Sequence, residues 1–553
     1  MGIGVVIASA ALARAGSDDG LRAAAERISA DKIRAHTIVL GGDALEGRAP
    51  GTPGGARAAA YIAAQLESFG VEPFGDDGGF LQAVPLESSQ PLSGCRLTVS
   101  GVGEDRRLRL GEDYLLQTTG AQTWLPRPAP MVFVGYGIVA PEFDYNDYAD
   151  VDVRGKVAVF LSGEPESEDP DYFAGVERTP YASMEAKMRI ALSRGAVGSV
   201  LVPVVGGNPE DDWEWLERQY AFAHLGLAYT VPKHLGLLLR PAVARDLFTD
   251  ALYDFDQVLS MAARHSLRAF HLPVNLSFEG EFRTRSFLAA NVVGRIQGSS
   301  PKLADTAVVV SAHYDHLGVG PAVDGDPIYN GVIDNAIGVA GVLDIARVLA
   351  SSPDRPRRSV VVLFTTAEEE GNLGASYFLD HPPVPLSTMV ANINVDGLAF
   401  FDGFEDVVGI GAELSDLGDI LHQAAAQRGL AVNRPAEFAY GREAFERSEQ
   451  VVFAEAGIPA ILVNEGLAWQ HHSHEEAVRL AQAWFEQRYH TPDDDLLQPL
   501  DFAAAREHAA LVLTLIQMVA DARQAPEWKP GVPYAYRRLL SVSEEAGSLG
   551  EPP

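Results

Sequence analysis

From about Ser286 onward, short apolar runs alternate with helical segments, and this alternation limits the possible fold more than any other feature of the chain. The runs are rich in β-branched residues, whereas the intervening segments are typical of helices. The strand candidates read LAANVVGRI, DTAVVVSAH, SVVVLFTTA, TMVANINVD and IPAILVN. Apolar strands that alternate with helices favour a mostly parallel mixed sheet covered on both faces. We therefore predict an α/β fold.

Polar side chains of metal-binding type stand where these predicted strands end. DTAVVVSAH ends in His313, with Asp315 close behind; SVVVLFTTA is followed by Glu368 and Glu369; TMVANINVD ends in Asp396. In open α/β sheets, ligands bind outside the carboxyl ends of the strands. A single acid or histidine in such a place is usually a helix cap or a surface group. Several of them at separate strand ends instead indicate one shared site.

Two further polar residues lie in loops that can reach the same edge of the sheet. The loop YNGVIDNAIG brings Asp334 to the start of a helix, and YHTPDD carries His490. The only cysteine, Cys95, excludes an intrachain disulfide and any cysteine-rich zinc motif. A metal would therefore have to be held by histidines and carboxylates.

The chain of 553 residues is too long for one ordinary core, so we expect several domains. A middle region has its own strands and its own Pro- and acid-rich loops, and it reads as an insertion into the α/β domain. The predicted divisions are 1–20, a signal peptide or disordered N-terminus; 21–129, the first part of the α/β domain; 130–275, the insertion; 276–525, the main α/β domain; and 526–553, a C-terminal tail.

Charge and hydropathy restrict the partners and the location. Lys and Arg number 43 against 75 Asp and Glu, a net charge of -32, which argues against nucleic acid as a partner. The stretch GIGVVIASAALARAG offers small-x-small cleavage sites around Ala13, although its first basic residue is only Arg14. We expect an export signal, and hence a secreted or periplasmic protein, with a frayed helix as the alternative. We expect no membrane span elsewhere.

Five motifs occur in an order that resembles metallopeptidase family 28, the co-catalytic dizinc exopeptidases. They read SAHYDHLG, GVIDNAIGVAGVLDIAR, AEEEGNLGASYF, NINVDG and YHTPDD. The stretch LEGRAPGTPGGARAAAYIAAQL is similar to the N-terminal part of this family. The middle region, with FVGYGIVAPEFDYNDYADVDVRGKVAVFL, resembles the β-rich protease-associated (PA) domain that many members carry. The resemblance covers roughly Ala35 to Ala520 and implies the zinc-peptidase fold.

The resemblance also assigns a role to each candidate residue. His313 and Asp396 would be terminal ligands of one Zn2+ ion, Glu369 and His490 terminal ligands of a second, and Asp334 the bridge between the two ions. Neutral imidazoles and carboxylates suit zinc, and a carboxylate has two oxygens with which to bridge. The remaining two residues would have catalytic roles. Glu368 would be the general acid/base that serves a metal-bridging hydroxide, and Asp315 would orient His313.

The stretch RSEQVVFAEAGIPAILV departs from the family pattern. Glu449 and Gln450 stand where many members have Asp and His. Phe445 replaces a tyrosine that supports the oxyanion in some members, and Tyr440 is a weak substitute. Asn372 replaces the usual Leu after the glutamate run. None of these positions is an expected metal ligand, so the departures concern the substrate pocket rather than the metals.

The resemblance implies an exopeptidase that acts on peptide substrates, and an aminopeptidase is the leading hypothesis. The alternatives are a carboxypeptidase, for which Arg442 or Arg447 could bind the substrate carboxylate, an aminoacyl cyclase with one zinc, and a receptor-like binding protein without metals. One residue and one histidine-rich stretch receive no catalytic role. Glu370 is interpreted as a solvated acid, and HHSHEE as a solvated loop.

Overall fold

The computed structural model describes residues 20–101, 103–120, 123–169, 171–175, 178–204, 212–230, 234–435 and 441–540, and of 441–443 only the backbone. The chain forms two compact units. The first contains the described residues of Met1–Val84, Leu288–Pro435 and Ala444–Pro553, and the second is made mainly by Pro85–Phe287. Both boundaries fall inside long strands, Leu81–Pro91 and Phe282–Ile296.

The first unit is built on a mixed sheet with a parallel centre. Its strands lie in the order Phe282–Ile296, Ser359–Thr365, Ala307–His313, Met389–Asn394, Ala460–Glu465, Asp406–Ile410 and Ala431–Asn433. The four central strands pair in parallel, whereas Phe282–Ile296 and Asp406–Ile410 pair antiparallel with their neighbours in that centre. The short strand Glu72–Pro73 pairs antiparallel with Phe282–Ile296. This arrangement confirms the predicted α/β fold with a mixed sheet, in which the parallel pairing is concentrated at the centre.

Helices cover both faces of this sheet, which explains the continuously apolar strands. On the strand Ser359–Thr365, Val360, Val362 and Phe364 belong to one buried cluster, and Val361 and Leu363 belong to another. Successive side chains of a strand point to opposite faces, so a run without polar residues needs cover on both sides. The helices of this unit are Ala30–Leu40, Pro53–Ser68, Ile337–Ala350, Leu373–Asp380, Leu417–Gln427, Gln450–Glu455, His474–Gln487 and Phe502–Asp521.

The second unit has its own eight-stranded sheet, with two large buried clusters of its own. The strand order is Arg106–Leu108, Arg96–Ser100, Phe270–Glu279, Leu125–Phe133, Val157–Leu161, Gly198–Val202, Leu235–Leu239 and Tyr114–Leu116. Its helices are Met184–Ser193, Trp213–Gln219, Pro241–Leu247 and Phe255–Ala262. Here too the helices contribute to both clusters. Cys95 is buried in this unit as a free thiol.

The second unit begins earlier than the insertion predicted at 130–275. The strands Arg96–Ser100 and Tyr114–Leu116, which the sequence reading gave to the first domain, belong to its sheet. Arg96–Ser100 pairs with Phe270–Glu279, about one hundred and seventy residues later in the chain. The composition around Arg96–Ser100 does not indicate that this strand pairs with a segment so far along the chain. The identity of this unit as a PA domain stays a prediction.

Candidate metal centre

Three neighbouring parallel strands bring four of the predicted residues to one edge of the first unit's sheet. His313 is the last residue of Ala307–His313, Glu368 and Glu369 follow Ser359–Thr365, and Asp396 follows Met389–Asn394. Parallel strands place their carboxyl ends at the same edge, so the apolar runs themselves determine that these side chains meet.

The fifth and sixth residues arrive on loops. Asp334 lies in the irregular turn Val332–Ala336, immediately before the helix Ile337–Ala350. His490 follows the helix His474–Gln487 and has a positive φ of 55°. The ring of Tyr489 stacks on the ring of His490, with 3.9 Å between their centroids. These local constraints orient the His490 ring.

The two oxygens of Asp334 face two different histidines. Oδ1 lies 3.2 Å from Nε2 of His313, which is itself 3.1 Å from Oδ1 of Asp396. Oδ2 lies 3.2 Å from Nε2 of His490, which is 3.1 Å from Oε2 of Glu369. The five residues therefore form two groups that share Asp334.

These separations fit zinc. Zinc bonds to nitrogen and oxygen of about 2.0–2.1 Å in a tetrahedral arrangement put two ligand atoms about 3.3 Å apart. The four nitrogen–oxygen separations in the two groups lie at 3.1 to 3.2 Å. A donor set of two imidazoles and three carboxylates is also one that zinc accepts.

The electrostatics of the centre favour positive charge. Burial alone would lower the pKa of the His490 ring, but Glu369 and Asp334 raise it to about 10. Burial opposes the charge on His313 in the same way, yet Asp396, Glu368 and Asp334 raise its pKa well above the ordinary value. Facing carboxylates thus stabilise a cation between them, which is the demand that a bound metal ion meets.

The neighbouring glutamates have opposite shifts. Burial raises the pKa of Glu368 well above its ordinary value, and the charges of Asp396, Glu369 and Asp334 add to the rise while His313 opposes it. For Glu369, burial and Asp334 also favour the neutral acid, but the two imidazoles of His490 and His316 outweigh them and lower its pKa to about 2. Glu369 is therefore a permanent anion, whereas Glu368 is able to hold a proton.

Asp315 contacts both His313 and the backbone of Glu368. Its carboxylate Oδ1 is 3.9 Å from Nδ1 of His313, and its own carbonyl oxygen is closer, at 3.3 Å. The same Oδ1 accepts the backbone N–H of Glu368 at 3.2 Å. The predicted contact with His313 is thus a long one, and a bond to the backbone of Glu368 accompanies it.

Glu449 and Gln450, two of the residues that depart from the family pattern, are buried and hydrogen-bonded. Glu449 accepts the hydroxyl of Thr365, and Gln450 accepts from Asn394 and donates to the carbonyl of Phe445 at 2.8 Å. Phe445 itself is buried. Gln450 thus ties the strand that precedes Asp396 to the loop that holds Phe445.

The other predicted residues have the following places. Tyr440 and the side chain of Arg442 lie outside the described residues, and Arg447 is partly exposed. Asn372 has a φ of 59° and stands immediately before the helix Leu373–Asp380, in a turn that an unbranched polar residue tolerates. In HHSHEE, the exposed His471 and His472 hydrogen-bond through Nδ1 to the buried Asp402.

Three residues of the centre were missed by the sequence analysis. His316 is buried, with Nδ1 2.5 Å from Oε1 of Glu369. Asp494 accepts the backbone N–H groups of Ile333 and Asp334. Arg48 is buried and donates to the carbonyls of Tyr314, Leu40, Asn330 and Gly331. The motifs SAHYDHLG, YHTPDD and LEGRAPGTPGG contain all three, but only their ligand positions had been considered.

Comparison with known proteins finds similarity in the part of the chain that contains the predicted metal ligands. Residues 291–516 match the pattern of Peptidase family M28. A vacuolar membrane protease of Lachancea thermotolerans is 34% identical over 117 residues, 21% of this chain and 11% of that protein. One of Candida dubliniensis is 37% identical over 92 residues, 17% of this chain and 9% of that protein. The chain therefore spans about a tenth of the length of these curated relatives.

A solved structure supports the fold. The aminopeptidase from Aneurinibacillus sp. strain AM-1 superposes with a TM-score of 0.52 at 18% identity, over 89% of this chain and 94% of that one. At this identity the likeness concerns the fold, an α/β architecture with mixed sheets and flanking helices.

Two expectations are corrected. The secreted or periplasmic location and the absence of a membrane partner are wrong by the comparisons, because the curated relatives are named vacuolar membrane proteases. The expectation of no apolar span is also corrected, because Phe502–Asp521 is long and apolar enough to cross a membrane. In the structure, 72% of its most apolar window is buried inside the first unit, so the helix satisfies the length criterion as part of a core.

The predicted resemblance is confirmed by the family match, and its predicted ligands lie together within the matched region. Residues 291–516, which hold all the predicted ligands, match Peptidase family M28.

Proposed function

We propose that the chain is a dizinc exopeptidase, and specifically an aminopeptidase. The observation that carries the proposal is the position of Asp334, whose two oxygens each face a different histidine at 3.2 Å. A carboxylate shared in this way is suited to bridging two metal ions. His313 and Asp396 would complete one ion's ligands, and Glu369 and His490 those of the other.

Bound zinc would lower the pKa of a coordinated water to about 7 and polarise the scissile carbonyl. The remaining work falls to side chains of the chain. Glu369 and Asp334 stay ionised at all working pH values because their pKa values are lowered, Glu369's to about 2. They can therefore act as ligands but not as proton carriers.

Glu368 is suited to carry the proton. The raised pKa of its carboxyl lets it take a proton from the attacking water and give that proton to the leaving amine. Its backbone N–H is fixed by Asp315, and its carbonyl accepts the N–H groups of Gly371 and Asn372. This turn keeps Glu368 at the edge of the centre while Glu369 points to His490.

Charge favours an aminopeptidase over a carboxypeptidase. An aminopeptidase must accept a substrate's α-ammonium group, which the acidic centre and the net charge of -32 attract. A carboxypeptidase needs a cation for the substrate carboxylate. The buried Arg48, close to the centre, uses its donors on four backbone carbonyls, so Arg442 and Arg447 remain the candidates for that cation.

The test is a panel of peptides that are free at both ends, blocked at the N-terminus or blocked at the C-terminus, given to zinc-supplied protein. We expect cleavage of peptides with a free amino group and none of the N-blocked ones. The variant Glu368→Gln should retain its zinc while kcat falls by about 10²–10⁴, because only proton transfer is lost. The variant Glu369→Gln should lose zinc instead.

Each contrary result points to a particular alternative. Cleavage that requires a free carboxylate would identify a carboxypeptidase. A pure, zinc-supplied protein without bound metal and without turnover would favour the receptor-like binding protein. Loss of zinc in Glu368→Gln with retention in Glu369→Gln would mean that the roles of the two glutamates are exchanged.

A further inference from the structure

The two oxygens of Glu369 face two different imidazoles. Oε2 lies 3.1 Å from Nε2 of His490, and Oε1 lies 2.5 Å from Nδ1 of His316. The His316 side chain is completely buried and the Glu369 side chain is 6% exposed, so solvent does not compete for this contact. His316 was not among the residues to which the resemblance gave a role.

His316, Asp334 and Glu369 lie close enough together to hold a metal ion between them, but the contact between His316 and Glu369 has the length of a hydrogen bond. Two atoms bound to one zinc ion would be about 3.3 Å apart, given zinc bonds of about 2.0–2.1 Å in a tetrahedral site. The contact of His490 fits that separation, whereas the contact of His316 at 2.5 Å is too short. An ionised carboxylate only accepts, so Nδ1 of His316 carries the proton and donates it.

The position of the His316 ring is fixed by the loop that carries Asp334. Gly331, three residues before Asp334, has a φ of 58°, and a Cβ there would lie 2.4 Å from Cγ of His316. The carbonyl of Gly331 accepts from Nη2 of Arg48 at 2.8 Å. The ring therefore packs against the loop of one expected ligand, Asp334, while it hydrogen-bonds to another, Glu369.

Within the described residues, Nε2 of His316 is buried without a hydrogen-bond partner. A ring placed only for structural stability would be expected to use both nitrogens, as His508 does with the N–H of Ala399 and the carbonyl of Val463. The one hydrogen bond of His316 is directed at Glu369.

We propose that His316 is a positioning residue for the second metal: by donating from Nδ1 to Oε1 of Glu369, it presents Oε2 to the ion shared with His490 and Asp334. The inference rests on the proposed dizinc function. It adds a residue to the hydrogen-bonded surroundings of the ligands, and loss of such a partner typically weakens metal affinity 10–100-fold.

The test is competition for zinc between the protein and a chelator, with the bound zinc counted per chain at each free zinc concentration. His316→Leu removes the donor at similar volume, and His316→Asn keeps an N–H donor close to the position of Nδ1. We expect His316→Leu to release one of its two ions at a free zinc concentration about 10–100-fold above that of the wild type, while the other ion stays. His316→Asn should retain both ions at close to wild-type affinity.

The matched control is His36→Leu, which removes another buried histidine, hydrogen-bonded to Tyr61 at 2.7 Å in the first unit, and should leave zinc release unchanged. The inference is overturned if His316→Leu holds both ions as tightly as the wild type, or if His316→Asn loses as much affinity as His316→Leu. A wild-type protein that never binds a second ion would instead contradict the proposed function.

Discussion

Residues 368–370 show how adjacent identical side chains acquire different chemistry. Glu369 lies between two imidazoles that lower its pKa to about 2, whereas burial and neighbouring carboxylates raise the pKa of Glu368. The two glutamates are chemically identical, so the difference between their pKa values comes from the surrounding residues on other strands and loops. The acidic run in the sequence could be assigned roles only through the family resemblance. The proton-carrying role of Glu368 remains a prediction for the substrate test.

A second prediction at this scale concerns His508, a fully buried neutral ring. It accepts the N–H of Ala399 and donates to the carbonyl of Val463, each at 3.0 Å, so a second ring proton would oppose the Ala399 N–H. Burial lowers the pKa of His508 from 6.5 to about 4. Between these values the unfolded chain binds a proton that the folded chain does not, so stability is complete above pH 6.5 and falls towards pH 4.

We expect the free energy of unfolding of the wild type to fall by about 2 kcal/mol more than that of His508→Gln when the pH is lowered from 8 to 5. Urea unfolding at a series of pH values measures this difference in slope. The exposed His474 supplies the control, since His474→Gln should show the wild-type slope. Equal slopes for the wild type and His508→Gln would contradict the prediction.

At the scale of elements, strand ends were predictable and the turn that carries Asp334 was not. Strands such as Ala307–His313 are continuously apolar because both of their faces are covered, and that pattern is local in the sequence. The turn Val332–Ala336 instead depends on Asp494, which is 160 residues away. The sequence placed Asp334 at the start of a helix, and the structure places it in the turn that precedes one. Long-range hydrogen bonds of this kind leave no periodic signal.

Asp494 should therefore control zinc affinity through the turn. Asp494→Ala removes the acceptor for the N–H groups of Ile333 and Asp334, and we expect zinc affinity to fall about 10–100-fold. Chelator competition measures the loss. Asp501 is the matched control, because it also accepts two backbone N–H groups, those of Ala503 and Ala504, at a helix N-terminus.

Asp501→Ala should lower stability by about 1 kcal/mol, as loss of a helix cap does, and leave zinc affinity unchanged. Comparable zinc affinity in both alanine variants would show that the turn does not need Asp494.

At the scale of the whole molecule, the second compact unit begins earlier in the chain than the insertion predicted from the sequence. Composition changes near Pro130, whereas the second unit begins at Pro85 because Arg96–Ser100 pairs with a strand close to its other end. More of the α/β unit than of the second unit could be predicted, because its strands and ligand motifs follow one another in the chain. Location was the least predictable property, and the names of the curated relatives overturned the expected export.

The most direct test of the account is a crystal structure of zinc-loaded protein with anomalous diffraction data collected at the zinc absorption edge. We predict two peaks in the first unit, about 3.5–4 Å apart, with Asp334 between them. One should contact His313 and Asp396, and the other Glu369 and His490. A single peak, or peaks that do not share Asp334, would contradict the proposed dizinc centre.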